Sequence, residues 1–366
     1  MHSNINLWDA PVDDTTELFT SSGIASDTII QRITERYYAD LPARNIPTEI
    51  LRADGHCIQE DMSKYLAASE HYQSSHLKDA LITPLHFDYN SDQDAIKLAE
   101  IEGEGNHFNL GTFLHQCILE PTRFGRAIVE PKWGLNTTEG VDAAIRWYEE
   151  KAGIDYGGWT AMKIVEKRSY LEQIKKLADI DPVTKDNHLR IQIIKKHLDH
   201  YAGGIVYHLV KRSKREISFY GDLEGIPIKV RPDAIQFEEN IGVNAIISIK
   251  STACDDLRSF YKFCAMYHYD LSEALYQDVV SKVTGRDFST TITIMLQTTS
   301  PYAVAVMVWD RDDIEVGRYK YKTALATIAK AKADQSYPGF ETKADNELGI
   351  IEMKLPDWNG REFLPG

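Results

Sequence analysis

The N-terminal third of the chain alternates short amphipathic stretches with polar, Pro-containing text. Residues 28–38 (TIIQRITERYY) carry apolar side chains at helical spacing and predict one amphipathic helix. The segment 72–87 (YQSSHLKDALITPLHF) predicts a short helix that Ser74 or Ser75 caps and that ends before the next proline. Residues 110–120 (LGTFLHQCILE) predict a buried helix, because their apolar positions recur at helical spacing.

The middle of the chain changes from helical spacing to the alternation of a sheet. Residues 131–160 are rich in Gly and Trp and predict irregular structure, whereas residues 161–210 carry a helical pattern with Lys and Arg on the outer face. From residue 215 to 252 the side chains alternate or run β-branched, with breaks at 221–225 and 238–242. This pattern predicts three consecutive antiparallel strands joined by hairpins.

Helical spacing returns after Thr252. Two further strands are predicted at 290–299 (TTITIMLQTT) and 302–310 (YAVAVMVWD), and a final helix over about 314–333. The order of helix, three strands, helices, two strands and helix predicts an α+β (α/β) fold. In such a fold a central mixed sheet is flanked by helices, which bury the faces of the sheet.

The net charge of −14 is carried by one part of the chain. Residues 1–150 hold 25 acidic and 11 basic side chains, while residues 151–366 hold 30 of each. This distribution excludes an evenly basic nucleic-acid coat and a polybasic membrane binder, because both need a net positive field. No apolar run reaches the roughly 18 residues of a spanning helix, and the polar start has no signal-peptide core. We therefore expect a cytoplasmic protein that has no membrane partner.

A basic stretch precedes the first predicted strand of the sheet. Residues 151–231 contain 16 Lys and Arg against 10 Asp and Glu, and the run KRSKR lies at 211–215. Such a run can follow a DNA backbone, although a solvated helix face and a charged hairpin have the same composition. Arg231 can likewise pair with a phosphate or with a neighbouring carboxylate. The candidate DNA-binding side chains are Lys211, Arg212, Lys214, Arg215 and Arg231.

The text RPDAIQF followed by ISIKST carries the candidate chemistry. Asp233 ends the second predicted strand and Lys250 lies on the third, so the hairpin between them can bring both side chains to the same end of the sheet. A carboxylate beside a lysine is the minimum that can hold a divalent ion against a phosphate and stabilise the charge that develops during hydrolysis. By spacing alone, a turn aspartate and a solvated strand lysine fit these positions as well.

Several motifs together resemble the RecE-like (exodeoxyribonuclease VIII type) branch of the PD-(D/E)xK nuclease superfamily, over about residues 72–333. The family pattern S-x-L-K … sP-x-hF is similar to SSHLKDALITPLHF, and the helix pattern G-T-x-x-H-x-x-x-L-E-P-x-x-F is similar to residues 111–124, with His115 at its histidine. The pattern K-x-R-P-D is similar to residues 229–233. The last family block, D-x-K-[ST]-T followed by Y-x-x-Q-x-x-x-Y, is similar to SIKST and to YDLSEALY, which ends at Tyr276.

This resemblance implies a restriction-endonuclease-like PD-(D/E)xK core and a metal-dependent exonuclease that hydrolyses linear duplex DNA in phage or bacterial recombination. It implies that His115 and Asp233 are metal ligands, that Lys250 is the catalytic lysine, and that Tyr276 belongs to the same active-site block. In that family two metal ions, Mg²⁺ or Mn²⁺, activate a water that attacks the phosphodiester bond at a DNA end. An imidazole and a carboxylate are acceptable ligands for such ions.

The resemblance also implies partners and a division of the chain. RecE-like proteins form rings that enclose duplex DNA and work with a single-strand annealing protein, so a homo-oligomer and such a partner are expected. By the same resemblance, residues 66–340 form the nuclease domain, residues 1–65 an acidic N-terminal appendage and residues 341–366 a C-terminal tail.

Two positions depart from the family pattern. The acid expected two residues before Lys250 is replaced by Ser248, which is a neutral and weak ligand for a hard cation, and the glutamine expected four residues before Tyr276 is replaced by Ser272. The site has therefore either relocated its ligands or lost cleavage. Asp255 and Asp256 also suit a helix cap and first turn, and Glu216 also suits a solvated strand. The candidate replacement carboxylates are Glu216, Asp255, Asp256 and Glu273.

Two hypotheses follow from the sequence. The first is a metal-dependent deoxyribonuclease that acts on linear duplex ends, which the retained His115, Asp233 and Lys250 favour. The second is a catalytically impaired nuclease-fold protein that serves as a DNA-binding or protein-interaction module, which Ser248 favours.

Overall fold

The computed structural model of the protein describes residues 24–42, 44–46, 55–91, 110–120, 127–178 and 180–354. The predicted helix at 110–120 is among them. The helices are α1 (Ser26–Tyr38), α2 (Met62–Ala67), α3 (Ser74–Ile82), α4 (Pro84–Ser91), α5 (Leu110–Leu119), α6 (Thr138–Ala152), α7 (Ile164–Leu177), α8 (Lys185–His200), α9 (Ile205–Val210), α10 (Glu238–Ile241), α11 (Leu257–Met266), α12 (Tyr269–Thr284) and α13 (Arg311–Asp334).

The strands build three sheets. A five-stranded mixed sheet has the order β10-β9-β8-β7-β4, in which only the β8 and β9 pair is parallel. A three-stranded antiparallel sheet has the order β1-β5-β6, and β2 and β3 form a parallel pair. The strands are β1 (His56–Gln59), β2 (Ala127–Glu130), β3 (Asp181–Thr184), β4 (Lys214–Arg215), β5 (Ile217–Leu223), β6 (Ile226–Val230), β7 (Ala234–Gln236), β8 (Ala245–Thr252), β9 (Thr290–Gln297) and β10 (Val304–Val308).

Strand β8 lies at the centre of the mixed sheet and is buried on both faces. Its side chains alternate between the faces, as the period of two requires. Ile247 and Ile249 join an apolar cluster with α1, α5, α8 and α9, while Ile246 joins a second cluster with α3, α12 and α13. Ser248 and Lys250 therefore point to the same side as Ile246, toward α12. The predicted α+β architecture, a mixed sheet flanked by helices, is confirmed.

The prediction of irregular structure over residues 131–160 is wrong, because α6 lies within that range. The hydroxyl of Thr137 accepts a hydrogen bond from the N–H of Gly140 and caps the helix, and Gly153 ends it in the left-handed region. The buried Val141, Ala144, Ile145 and Tyr148 pack with α7 in an apolar cluster of their own. The Gly and Trp content concealed this helical spacing.

The prediction of three consecutive strands between residues 215 and 252 is also wrong in its connectivity. The second predicted strand is divided at residues 231–233 into β6, which belongs to the three-stranded sheet, and β7, which belongs to the mixed sheet. Proline at position 232 has no N–H and a fixed φ, so it cannot continue a paired strand and favours this break. The predicted break at 238–242 is confirmed as α10, and β5 continues through Gly221 to Leu223.

Parts of the predicted N-terminal appendage pack against the rest of the described structure. Ile29 and Ile33 of α1 are buried in the cluster around Ile247, and β1 is an edge strand that pairs with β5. The helix predicted at 28–38 is thereby confirmed. The division of the chain at residue 65 stays a prediction. Among the described residues, no helix is both long enough and apolar enough to span a lipid bilayer.

Lys229 on β6 is fully buried and caps the end of α2. Its Nζ atom donates hydrogen bonds to the main-chain carbonyls of Tyr65 (3.0 Å), Leu66 (3.3 Å) and Ala68 (2.9 Å). The last carbonyls of a helix have no intrahelical donor and carry partial negative charge, so a buried ammonium group satisfies them. The lysine of the K-x-R-P-D pattern is therefore a structural residue in this chain.

We expect Lys229→Met to lower the free energy of unfolding by roughly 3 kcal/mol, because the buried carbonyls lose their donor. Urea denaturation followed by circular dichroism measures this change. The matched control is Lys322→Met on the exposed face of α13, which should change the free energy of unfolding by no more than about 0.5 kcal/mol. Equal midpoints for Lys229→Met and the unchanged protein would contradict the capping role.

Candidate active site

Asp233 is held at the junction of the two larger sheets. It lies between β6 and β7, and its Oδ2 atom accepts a 2.5 Å hydrogen bond from the main-chain N–H of Ile249 on β8. The side chain is 20% exposed. Its Oδ2 atom is bound to the central strand, while its Oδ1 atom lies near His115. This bond supplies the link between Asp233 and β8 that the sequence predicted from a simple hairpin.

His115 faces Asp233 from α5. The apolar face of α5, with Phe113, Leu114 and Cys117, packs in the cluster that contains Ile249, and His115 lies 3.6 Å (Nδ1) from Asp233 Oδ1. Burial alone would lower the pKa of His115, but the nearby carboxylate of Asp233 outweighs it and raises that pKa. Burial opposes ionisation of Asp233 in the same way, yet His115 and the charge of Lys250 lower its pKa.

Lys250 interacts with the charges of two carboxylates, Glu273 and Asp233. Its Nζ atom is 3.5 Å from Glu273 Oε1, and the charges of Glu273 and Asp233 raise the pKa of Lys250 against the opposing effect of burial. The lysine is therefore fully protonated at neutral pH. Its side chain is 23% exposed, so this cation is open to an anionic substrate on one side.

Glu273 on α12 supplies a carboxylate where the family pattern places an acid on β8. The Oγ atom of Ser248 lies 2.8 Å from Oε1 and 2.7 Å from Oε2 of Glu273, and both side chains are buried. A hydroxyl has one hydrogen, so Ser248 donates to one of these oxygens at a time. Burial raises the pKa of Glu273, which Lys250 and Ser248 counteract. The acid missing at position 248 is thus present in space, although not in the strand.

Three further side chains interact with Lys250, one from α3 and two from α12. The ring centroid of Tyr269 is 5.2 Å from Lys250 Nζ and 5.5 Å from Lys78 Nζ, which is within range of a cation–π interaction. Burial and the charge of Lys250 lower the pKa of Lys78 to about 8. Burial raises the pKa of Tyr276 to about 12, so its hydroxyl is protonated. Lys78 was missed in the sequence, where its only signal was the S-x-L-K motif.

Glu216 is close to this group but already has a cationic partner. Its Oε2 atom accepts a 2.8 Å hydrogen bond from Arg231 Nε, and its N–H donates to the main-chain carbonyl of Asp233. With a φ of 51° it occupies the left-handed region, which bends the chain between β4 and β5. Burial raises the pKa of Glu216 against the effect of Arg231. Glu216 therefore adjoins Asp233, and its carboxylate is paired with Arg231.

Arg231 binds protein groups, so of the two partners that the sequence allows it has the carboxylate. Besides Glu216, its guanidinium donates to Ser218 Oγ (3.1 Å) and to the main-chain carbonyl of Glu60 (2.9 Å). Its side chain is only 8% exposed. The prediction that Arg231 contacts DNA is therefore corrected, because its donors are used to join β6 to β5 and to the segment after β1.

The candidate acids at the start of α11 serve the helix. Asp256 caps it, since Oδ1 accepts a 2.8 Å hydrogen bond from the N–H of Ser259. Asp255 is exposed immediately before it. This is the helix-capping alternative that the sequence left open, and it leaves Glu273 as the replacement carboxylate that reaches Ser248 and Lys250.

The side chains of the basic run at residues 211–215 differ in their exposure. Lys211 and Arg212 are exposed after α9. The guanidinium of Arg215 donates to the carbonyls of Leu119 (3.1 Å) and Val210 (3.0 Å), so this predicted DNA contact is corrected to a structural one. Lys214 is half-buried, and its Nζ atom lies 3.4 Å from an amide oxygen of the segment 44–46. DNA binding by Lys211, Arg212 and Lys214 stays a prediction.

The side chains of His115 and Asp233 fit a hard divalent ion that retains water and substrate ligands. In the described part of the chain, no three His, Cys, Asp or Glu side chains gather closely enough to hold a metal ion by themselves. The Nδ1 atom of His115 and the Oδ1 atom of Asp233 lie 3.6 Å apart, so the pair offers one nitrogen donor and one oxygen donor. Mg²⁺ commonly keeps several waters and uses one or two carboxylates together with substrate phosphates, so an incomplete protein donor set suits it.

A cleft of about 400 Å³ extends from the end of β8. It begins at the two residues that follow Lys250 and ends against the first turn of α5 and the exposed face of α8. Its lining combines apolar and polar groups and includes the guanidinium of Arg190, a cation that can pair with a phosphate. The residues that line the cleft include Gly111, Arg190, Ser251, Thr252 and Thr298.

Comparisons with known proteins bear on the fold. A family model described as "PDDEXK-like domain of unknown function (DUF3799)" matches residues 74–346, about three quarters of the chain. The chain is similar to a solved Eubacterium rectale protein named "Putative exonuclease", with 14% identity, a TM-score of 0.44, and coverage of 82% of this chain and 96% of that chain. It is also similar to the solved protein SSO0001, with 15% identity, a TM-score of 0.22, and coverage of 59% and 84%. No curated protein matches the chain.

Proposed function

This chain belongs to the family of PDDEXK-like domains (DUF3799), and on that premise we propose that it is a metal-dependent DNA exonuclease acting on linear duplex ends. The observation that carries the proposal is the row of groups formed by His115, Asp233, Lys250 and Glu273. It combines two candidate metal ligands, His115 and Asp233, with the cation of Lys250 and the second carboxylate of Glu273. Phosphodiester hydrolysis needs these elements, because negative charge develops on the phosphate oxygens.

Each residue has a distinct role in the proposal. His115 and Asp233, with Glu216 behind Asp233, would hold Mg²⁺ or Mn²⁺, which when bound supplies a Lewis acid for the phosphate and a more acidic water. Lys250 binds the scissile phosphate and neutralises its developing charge. Glu273 keeps Lys250 oriented and protonated, and Ser248 fixes the carboxylate of Glu273.

DNA beyond the scissile phosphate is proposed to follow this cleft toward Arg190, and Lys211, Arg212 and Lys214 are proposed as further phosphate contacts. Their contribution is sequence-independent and salt-dependent. The protonated hydroxyl of Tyr276 is proposed to donate a hydrogen bond in the same region.

The finer assignments follow the sequence resemblance and are part of the same proposal. They comprise membership of the RecE-like branch, action in phage or bacterial recombination, a ring-shaped homo-oligomer, a single-strand annealing partner, a nuclease domain over residues 66–340, and a cytoplasmic location.

A second candidate is a catalytically impaired DNA-binding or protein-interaction module. Two observations favour it. Ser248 takes the place of the strand acid, and within the described ranges no three His, Cys, Asp or Glu side chains gather to hold a metal. A site that keeps Lys250 and Glu273 buried together is costly to retain without a use, which favours the enzyme.

We expect the purified protein to degrade end-labelled linear duplex DNA in Mg²⁺ or Mn²⁺ and to leave a covalently closed circle of the same sequence intact. Removal of the ion with a chelator should stop the reaction, because the proposed site cannot activate water without it. Gel electrophoresis of both substrates, with a nicked circle as control, measures the difference. Cleavage of the closed circle contradicts the end requirement, while binding of DNA without any degradation supports the impaired module.

A further inference from the structure

Three aromatic side chains at the junction of α11 and α12 form a row that we call the aromatic ladder, made of Phe263, Tyr267 and Tyr269. The ring centroids of Phe263 and Tyr267 are 5.7 Å apart with planes inclined by 27°. Those of Tyr267 and Tyr269 are 6.1 Å apart and inclined by 26°. Each ring is therefore stacked on the next one in the row.

The outer rings of the aromatic ladder, Phe263 and Tyr267, are exposed, whereas Tyr269 is partly buried against the cluster of Phe260, Cys264 and Met295. The side chains by which α11 packs against the protein are Phe260 and Cys264, which are buried. Phe263 is 41% exposed and Tyr267 is 50% exposed. Large exposed rings in a continuous row are uncommon on a protein surface that has no ligand, because single exposed apolar residues are the usual pattern.

The inner end of the ladder is the candidate active site. The ring centroid of Tyr269 lies 5.2 Å from Lys250 Nζ and 5.5 Å from Lys78 Nζ. A ligand that follows the ladder inward therefore meets two cations. Such a ligand combines flat apolar groups with an anion, which describes a nucleic acid strand better than an apolar protein surface.

We propose that the aromatic ladder is a stacking platform for the unpaired bases of a single DNA strand whose phosphate lies at Lys250. The substrate then reaches the site as a single strand or as a frayed duplex end. Every base has a π-face, so stacking on these rings is tolerant of sequence. The exposed Arg258 and Lys262 of α11 supply cations for the backbone of the same strand. This inference rests on the proposed function for the position of the cut, but strand binding itself does not require hydrolysis.

The test measures binding of the full chain to a fluorescent 16-nucleotide oligothymidine and to a blunt duplex, by anisotropy in a chelator so that no cleavage occurs. We expect Tyr267→Ala and Phe263→Ala each to weaken oligothymidine binding about tenfold, and to leave blunt-duplex binding within about twofold. Tyr267→Phe should bind as the unchanged protein does, because stacking requires the ring and not the hydroxyl. The matched control is Tyr261→Ala, which removes a 54% exposed tyrosine of the same helix.

A base analogue gives a direct readout. 2-Aminopurine placed near the end of the strand should lose fluorescence on binding to the unchanged protein and should keep it with Tyr267→Ala, because the stacked partner is absent. The proposal is overturned if both ladder variants bind oligothymidine like Tyr261→Ala, or if they change only the mass of the protein in solution, which would mark a protein interface.

The two proposals can fail separately. If the unchanged protein does not degrade linear duplex DNA but the ladder variants still lose oligothymidine binding, the nuclease proposal fails and the stacking platform is supported. If the protein degrades DNA and the ladder variants bind and cleave single strands as before, the platform is overturned and the nuclease proposal remains.

Discussion

Lys250→Ala should reduce the rate of linear duplex degradation about a thousandfold, with little change in duplex affinity. The ammonium group interacts with the charges of two carboxylates, Glu273 and Asp233, and belongs to a side chain that is partly exposed. A preorganised cation acts on charge that develops in the transition state, and its removal is costly because water cannot replace its fixed position. Initial rates on end-labelled duplex at saturating DNA measure the loss.

Two further measurements separate loss of chemistry from loss of fold. Lys250→Ala leaves the buried Glu273 without its cation, so Lys250→Met, which retains the aliphatic stem, should be equally inactive and better folded. Lys322→Ala, on the exposed face of α13, should degrade DNA at the unchanged rate. A folded Lys250→Met protein that retains more than about a tenth of the rate would remove Lys250 from the proposed chemistry.

The sequence predicted the order of the main elements because their periodicity is local. Strands β9 and β10 and helix α13 each carry a clear period with turn residues at both ends, and the structure has all three. Helix α6 is absent from the sequence prediction, although Val141, Ala144, Ile145 and Tyr148 have helical spacing, because the segment is rich in Gly and Trp. Composition was a weaker guide there than the period.

The site was predicted only in part, because several of its contacts join distant segments. Glu273 was one of four candidate carboxylates in the sequence, and nothing local distinguished it from Asp256. The distinction needs the packing of α12 on the mixed sheet, which brings residue 273 to residue 248. The engagement of Arg231 by Glu60 and Glu216 likewise depends on how β1, β5 and β6 pair.

The alternation of β8 explains how an acid can leave the strand without leaving the site. Residues 246, 248 and 250 face α12, so a carboxylate on that helix reaches the same space as one at position 248. The change from acid to serine and the presence of glutamate on the helix are then one compensated exchange. Its consequence is that the two positions must be energetically coupled, because they contact each other directly.

We therefore expect Glu273→Gln to lower the degradation rate about a hundredfold, and Ser248→Asp combined with Glu273→Gln to recover at least a tenth of the unchanged rate. Glutamine has the shape of glutamate and can still accept the hydrogen bond from Ser248, so the single variant removes the charge with little change in packing. Ser248→Asp alone should be impaired and less stable, because it places a second carboxylate against the buried Glu273. Rates and urea midpoints of the four proteins form a double-mutant cycle that measures the coupling.

The control is Asp256→Asn, which removes a carboxylate of the neighbouring helix cap and should leave the rate unchanged, since that group contacts Ser259 and not Lys250. Rates that multiply independently across the cycle would show that positions 248 and 273 do not share one role. Recovery in the double variant requires the new carboxylate on β8 to orient Lys250 from the same side as Glu273 did. A charge at that point, whichever element carries it, is then what the reaction needs.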